Sequence, residues 1–198
     1  ATVNAYHGLT LLAKINIALG RDLEVAESMS WDECTEYAAS LKEKGDNARA
    51  RLFLTSALEK AEKFDPKDPR LPMALKNLAG IYLDEKKLRE AEPLMQRAID
   101  ISKKDLGTSH PDVISNQNDL GMVYAEQMRD AEAAELMSLD KCAEYAASVK
   151  EKGDYARAKL YFAKALEKAE KLGPNDLAMA FNNLAKNYLA ENKFDEAE

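Results

Sequence analysis

Apolar residues recur at three- and four-residue spacing along nearly the whole chain, interrupted by glycine, proline or a polar cap. That is the pattern of successive amphipathic helices. The first, Val3 to Leu19, carries Leu9, Leu12, Ala13 and Asn16 on one face and ends at Gly20. A second pattern, Leu23, Val25, Ala26 and Met29, runs into Ser30-Trp31-Asp32-Glu33, which has the Ser-x-x-Glu form of a capping box. Either a short helix stops at Met29 and a new one starts at Ser30, or one long helix covers 22–45; the pattern allows both.

Cys34, Tyr37, Ala38 and Leu41 mark the inner face of the next helix, which stops at Gly45, a residue suited to the left-handed position after a helix. Asp46 then caps a helix over Ala48 to Phe64 with Ala50, Leu54, Ala57 and Leu58 inward. The tight Gly-Asp junction folds the two into an antiparallel hairpin. Asp65-Pro66-Lys67-Asp68-Pro69 breaks the chain. A second hairpin follows, with Leu75, Leu78, Ala79 and Tyr82 facing Ala91, Met95 and Ala98 across a turn at Asp84 to Lys87. After the loop Leu106 to Pro111, the pattern restarts with Leu120, Gly121 and Tyr124.

The stretch Cys142 to Leu172 then repeats most of the text of Cys34 to Phe64, at a separation of about 108 residues. The irregular places repeat too. Units are shortened near 20–33 and again near 128–141, where spacing falls to about 25 residues, and the question of a fused helix recurs at 130–153. The duplicated object is therefore a block of several helices, 3–92 and 111–198, within one helical-repeat domain, 1–198. A last hairpin begins after Gly173-Pro174 with Phe181, Leu184, Ala185 and Tyr188 inward. It is expected to be incomplete, since the text stops at Glu198 while its counterpart continues for about three more turns. With no initiator methionine, the chain reads as a fragment.

Composition supports the all-α reading. Eight glycines and six prolines in 198 residues leave little turn material, while Ala, Leu, Glu and Lys abound. The formal net charge is −7 and the basic residues alternate with acidic ones, which argues against a nucleic-acid partner. No apolar run approaches the ~20 residues needed to span a bilayer, so no membrane partner is expected. Cys34 and Cys142 occupy equivalent places in the two copies and read as small buried residues in a reduced, cytoplasmic setting.

Catalysis has little support. His7 and His110 fall in different units, and no metal-ligand spacing or glycine-rich phosphate loop occurs. No cofactor, metal or catalytic residue is expected. Pairs such as Glu59 with Lys63 and Glu167 with Lys171 read as helix-surface ion pairs. The Tyr and Met residues read as core.

Leu75, Leu78, Ala79, Tyr82, Ala91 and Ala98 resemble the tetratricopeptide repeat, as do Cys142, Tyr145, Ala146, Val149, Ala158, Phe162 and Ala165 and their earlier counterparts. The linker Leu106 to Val113 and the Asn-Asn-Leu-Ala of Asn182 to Ala185 look like kinesin light chain-type repeats. Two units depart from the pattern: Gln117 stands where a large apolar residue is expected, and Asn16 where a Tyr is expected. The resemblance implies a right-handed superhelical solenoid of antiparallel hairpins. Its first helices would line a concave groove that holds a peptide segment of a partner protein, a scaffold or adaptor role.

By that resemblance, the Asn just before the Leu of each first helix holds the backbone of an extended peptide, its amide both donating and accepting. Asn77 and Asn183 retain it and Asp119 replaces it. Lys76, Asn118 and Asn182 precede these positions; Lys186, and in the first unit Thr10 and Lys14, lie further along the same face. The Lys, Asn and Arg set that captures chaperone C-terminal carboxylates is not assembled, since Gly80 follows Lys76 and Asp119 would repel a carboxylate. The alternatives are a self-assembly module joined through array ends, giving a homo-oligomer through the incomplete last hairpin, or the sensor region of a larger regulator.

Overall fold

The computed structural model describes residues 20–65 and 67–195. Thr10, Lys14 and the helix expected over Val3 to Leu19 lie outside the described residues. Every described element is helical, and the chain divides into two compact units, Ala1–Gly107 and Thr108–Glu198.

Unit 1 contains α1 (Asp22–Ser28), α2 (Trp31–Glu43), α3 (Asn47–Ala61), α4 (Arg70–Asp84) and α5 (Leu88–Leu106). The fused-helix alternative is resolved here: Met29 and Ser30 are extended, and α1 and α2 are separate. The cause is the capping box. Ser30 Oγ accepts from the Glu33 N–H at 3.2 Å while the Glu33 carboxylate accepts from the Ser30 N–H at 2.7 Å, so two orphan donors at the start of α2 are satisfied reciprocally. These bonds hold the Glu33 carboxyl below its usual range.

Gly45 takes the left-handed conformation at φ 77°, and Asp46 accepts from the Arg49 N–H at 3.2 Å to start α3. The α2/α3 hairpin closes over Cys34, Tyr37, Leu41, Ala50, Phe53, Leu54 and Ala57, all buried. Tyr37 meets Phe53 edge to face at 4.7 Å. Full burial of Phe53 alone contributes roughly 2 kcal/mol. The next hairpin, α4/α5, buries Leu75, Leu78, Ala79, Ala91, Met95 and Ala98 as the pattern predicts.

Unit 2 contains α6 (Pro111–Glu126), α7 (Asp130–Leu136), α8 (Leu139–Glu151), α9 (Tyr155–Ala169) and α10 (Pro174–Asp195). His110 caps α6 by accepting from the Asp112 N–H at 3.2 Å. The break between α7 and α8 falls at Met137-Ser138, matching the break in unit 1. Lys141 stands where Glu33 stood, so the capping-box carboxylate that would accept from the Ser138 N–H is missing. Asn118 of α6 supplies the acceptor instead, at 2.7 Å.

Three expectations are corrected. Phe181 and Tyr188 are 53% and 41% exposed and Ala185 is exposed; α10 packs on its neighbours through Ala180, Leu184 and Asn187. The matching face of α4, at Leu75 and Ala79, is buried because α5 lies on it; among the described residues, no element plays that part for α10. The residues equivalent to the α4/α5 turn also stay helical within α10. Met73, Met128 and Met179 are exposed, unlike the buried Met29, Met95 and Met137. Glu167 pairs with Lys164 at 2.7 Å rather than with Lys171.

Candidate functional site

The short helices α1 and α7 are the irregular feature of each unit, and α3 and α9, the second helix after each, clamp both of their ends. At the start of α7, Arg157 of α9 donates Nε–H to Asp130 at 2.7 Å and the Tyr161 hydroxyl donates to the same carboxylate at 2.7 Å. Unit 1 repeats this with Arg49 and Asp22 at 2.9 Å. At the other end, the last carbonyls of a seven-residue helix have no intrahelical partners. Lys168 donates to Glu135 O at 2.7 Å and Met137 O at 2.6 Å. In unit 1 one carbonyl, Ala26 O, accepts from Lys60 at 2.8 Å, Ser56 at 2.9 Å and the Cys34 thiol at 3.4 Å.

These contacts account for the two cysteines. Both are free and buried, and the Cys142 thiol donates to Ala134 O at 3.4 Å. Burial pushes the Cys142 thiol up to about 11 and pushes Cys34 in the same direction. Burial also lowers Lys168, while the hydrogen bond to Asp130 raises Arg157. Thiols raised in this way are poor nucleophiles; both serve as packing residues with a weak donor.

With the short helices fixed, a groove opens between the first helices of successive hairpins, once in each unit. In unit 1 it is a cavity of about 210 Å³ between α2 and α4, edged by Thr35, Ala39, Lys42, Lys76, Asn77 and Gly80 over Leu54 and Ile81. In unit 2 it is a cavity of about 460 Å³ between α8 and α10, edged by Ala147, Lys150, Tyr155, Asn183 and Lys186 over Phe162. The two are the same place in the duplicated block: Ala39 corresponds to Ala147, Lys42 to Lys150 and Asn77 to Asn183. The small Ala residues on α2 and α8 keep the walls low, and Asn77 and Asn183 project from the opposite wall.

The rims differ. Lys42 is paired with Asp84 at 2.8 Å. At the equivalent of Asp84 unit 2 has Ala190, and Lys150 donates to the Lys186 carbonyl oxygen at 3.1 Å instead.

Of the sequence-predicted site residues, Lys76 and Asn77 share the first groove, and Asn183 and Lys186 share the second. Asn182 is exposed outside the cavity lining, and Asp119 is exposed on α6. Asn118 has its carbonyl oxygen committed to the Ser138 N–H. Lys42 and Lys150 were missed as groove residues. Their signal was available, since both stand at the same register in the two copies.

Among the described residues, no group of His, Cys, Asp or Glu is arranged to hold a metal ion, and no helix is long and apolar enough to cross a membrane. Residues 70–138 match the tetratricopeptide repeat family. No curated protein sequence matches the chain. Among solved structures, it is similar to a putative kinesin light chain with nearly identical TPR-like repeats from Podosopora anserina, at 20% identity and a TM-score of 0.55 over 84% of this chain and 89% of that one. It is also similar to BtubC (BKLC) from P. vanneervenii, at 21% identity and a TM-score of 0.52 over 96% of this chain and 87% of that one. At this level of identity the likeness establishes a shared fold, the helical-repeat fold of kinesin light chain-like proteins.

Proposed function

We propose, from a chain whose residues 70–138 are tetratricopeptide repeats within a kinesin light chain-like fold, that it is a non-enzymatic scaffold for an extended peptide segment of another protein. Repeats of this kind generally mediate protein–protein interaction. The observation that carries the finer reading is the duplicated groove, in which an Asn amide faces a wall of small residues beside a Lys in both units. An extended peptide has free backbone N–H and C=O groups, and an amide side chain can serve both. Alanines opposite leave room for peptide side chains to lie along the floor. Asn77 and Asn183 are the anchors; Lys76 and Lys186 select charge.

Selection of peptides from a random library with the purified chain, followed by amide chemical-shift mapping, tests this. Shifts at Thr35, Ala39 and Asn77, or at Ala147 and Asn183, are expected. Shifts confined to α7 or to the loops would remove the reading.

One observation favours a second reading, association of copies through α10. Phe181, Tyr188 and Leu189 are exposed along one helix, an apolar surface of the kind that marks interfaces. Light scattering over a dilution series decides it: a mass independent of concentration at that of one chain excludes this reading.

A further inference from the structure

Each unit carries a second cavity, where its short helix meets α3 in unit 1 and α9 in unit 2. In unit 1 the cavity measures about 410 Å³, with Leu23, Leu52 and Tyr82 as its apolar surface and Glu27, Glu59 and Arg51 among its polar lining. In unit 2 it measures about 380 Å³, with Ala131 and Leu160 beside Glu135, Glu167 and Lys164. The duplication places Glu27 on Glu135, Glu59 on Glu167, Leu23 on Ala131 and Ser56 on Lys164.

That last exchange changes what the site needs. In unit 2 the Lys164 ammonium pairs with both Glu135 and Glu167, the latter at 2.7 Å, and these contacts hold the Glu135 carboxyl below its usual range. In unit 1 the Ser56 hydroxyl is turned inward, donating to Ala26 O at 2.9 Å and accepting from Lys60 at 2.7 Å. Lys60 itself donates to Ala26 O. Glu27 and Glu59 therefore line the cavity without an ion pair among the described residues. The expected partner for Glu59, Lys63, does not reach it. Meanwhile Leu23, 59% exposed, adds apolar surface where unit 2 has only an alanine.

We propose that the unit 1 cavity is a docking site for a lysine side chain carried on an apolar segment of a partner protein. The ammonium sits between Glu27 and Glu59, as the ammonium of Lys164 sits between their counterparts, and the flanking apolar residues lie on Leu23 and Leu52, while the Arg51 guanidinium lies over the Tyr82 ring, 5.9 Å from its centre. The chain supplies its own lysine in unit 2 and receives one from outside in unit 1. Most of the affinity comes from the apolar surface, because ion pairs this exposed are weak; the carboxylates supply selectivity for the cation.

The probes are two pools of nine-residue peptides built from Leu, Phe and Ala, one with a central lysine and one with norleucine in its place, titrated into the isotope-labelled chain. The lysine pool is expected to shift the amides of Leu23, Glu27, Leu52 and Glu59. The shifts should weaken at least threefold with the norleucine pool and with the isosteric pair Glu27→Gln and Glu59→Gln. Ser56→Lys should abolish them, and Lys164→Ser should add shifts at Glu135 and Leu160. Equal binding of both pools, or binding unchanged by the glutamine pair, overturns the proposal. The glutamine pair decides the matter if Ser56→Lys fails to fold. Asn77→Ala with Asn183→Ala should leave these shifts unaltered, so the two proposed sites fail independently.

Discussion

Arg157 and Asp130, 27 residues apart, are joined across unit 2 with only 18% and 17% of their side chains exposed. The pair anchors the start of α7 to α9, and Arg49 with Asp22 does the same for α1. Removing one member leaves the other charge half-buried and unpaired. Arg157→Met should therefore cost roughly 2–3 kcal/mol of stability. Asp130→Ala should cost more than Asp130→Asn, because the Tyr161 hydroxyl keeps an acceptor in the amide. Urea unfolding of the whole chain checks both.

The other end of the short helix depends on Lys168. Lys168→Met keeps the aliphatic stem but leaves Glu135 O and Met137 O without that donor. Amide hydrogen exchange through 130–137 should accelerate severalfold, with a stability loss of about 1–3 kcal/mol. Exchange in α10 should stay unchanged. Unaltered exchange at 130–137 would show that packing alone holds α7 in place.

The helical glycines separate by what a methyl group would meet. At Gly121 a Cβ would lie 2.6 Å from Met137 Cγ and 3.2 Å from Ala133 O; Gly121→Ala is expected to destabilise by about 1–3 kcal/mol. At Gly80 the nearest atom is Lys42 Nζ at 3.8 Å, so Gly80→Ala should be neutral or stabilising by up to about 1 kcal/mol through helix propensity. Thermal melts of the two variants should move in opposite directions, or only the first should move.

Cys142 gives a pH dependence whose sign is fixed. Its folded-state thiol is raised to about 11, above an unfolded value near ~8.5, so the folded state holds the proton more tightly. The contribution is fully present below the unfolded value and is lost as pH rises through the interval up to about 11. Denaturation midpoints should fall over that range, and Cys142→Ala should flatten the fall. Lys168, lowered by burial, contributes in the opposite sense. The same burial predicts slow thiol labelling of Cys34 and Cys142 under native conditions and fast labelling in denaturant.

Local chemistry was readable along the sequence, and long-range partners were not. Ser30 with Glu33, Gly45 with Asp46 and the periodic apolar positions each declare themselves within four residues, so helix boundaries and hairpin seams follow from them. Asn118 illustrates the other case: its position next to Leu120 suggested a ligand contact, but its oxygen accepts from Ser138, twenty residues away, because Lys141 replaced the glutamate that would have done so. Phe181 and Tyr188 illustrate a third. Periodicity reports which face can be buried, and the covering element is a separate fact. The groove rim was half legible: Asn77 and Asn183 were read from the repeat pattern, whereas Lys42 and Lys150, at one register in both copies, come from the neighbouring helix, and packing is what brings them to the rim.

The claim that the two grooves hold a peptide backbone is tested most directly by the affinity of the tightest selected peptide for the unaltered chain and for the double variant Asn77→Ala with Asn183→Ala. Fluorescence anisotropy with a labelled peptide should show a loss of at least tenfold, the worth of about 1.4 kcal/mol, with the melting temperature unchanged. Equal affinities, in a variant that melts like the parent, would contradict the account.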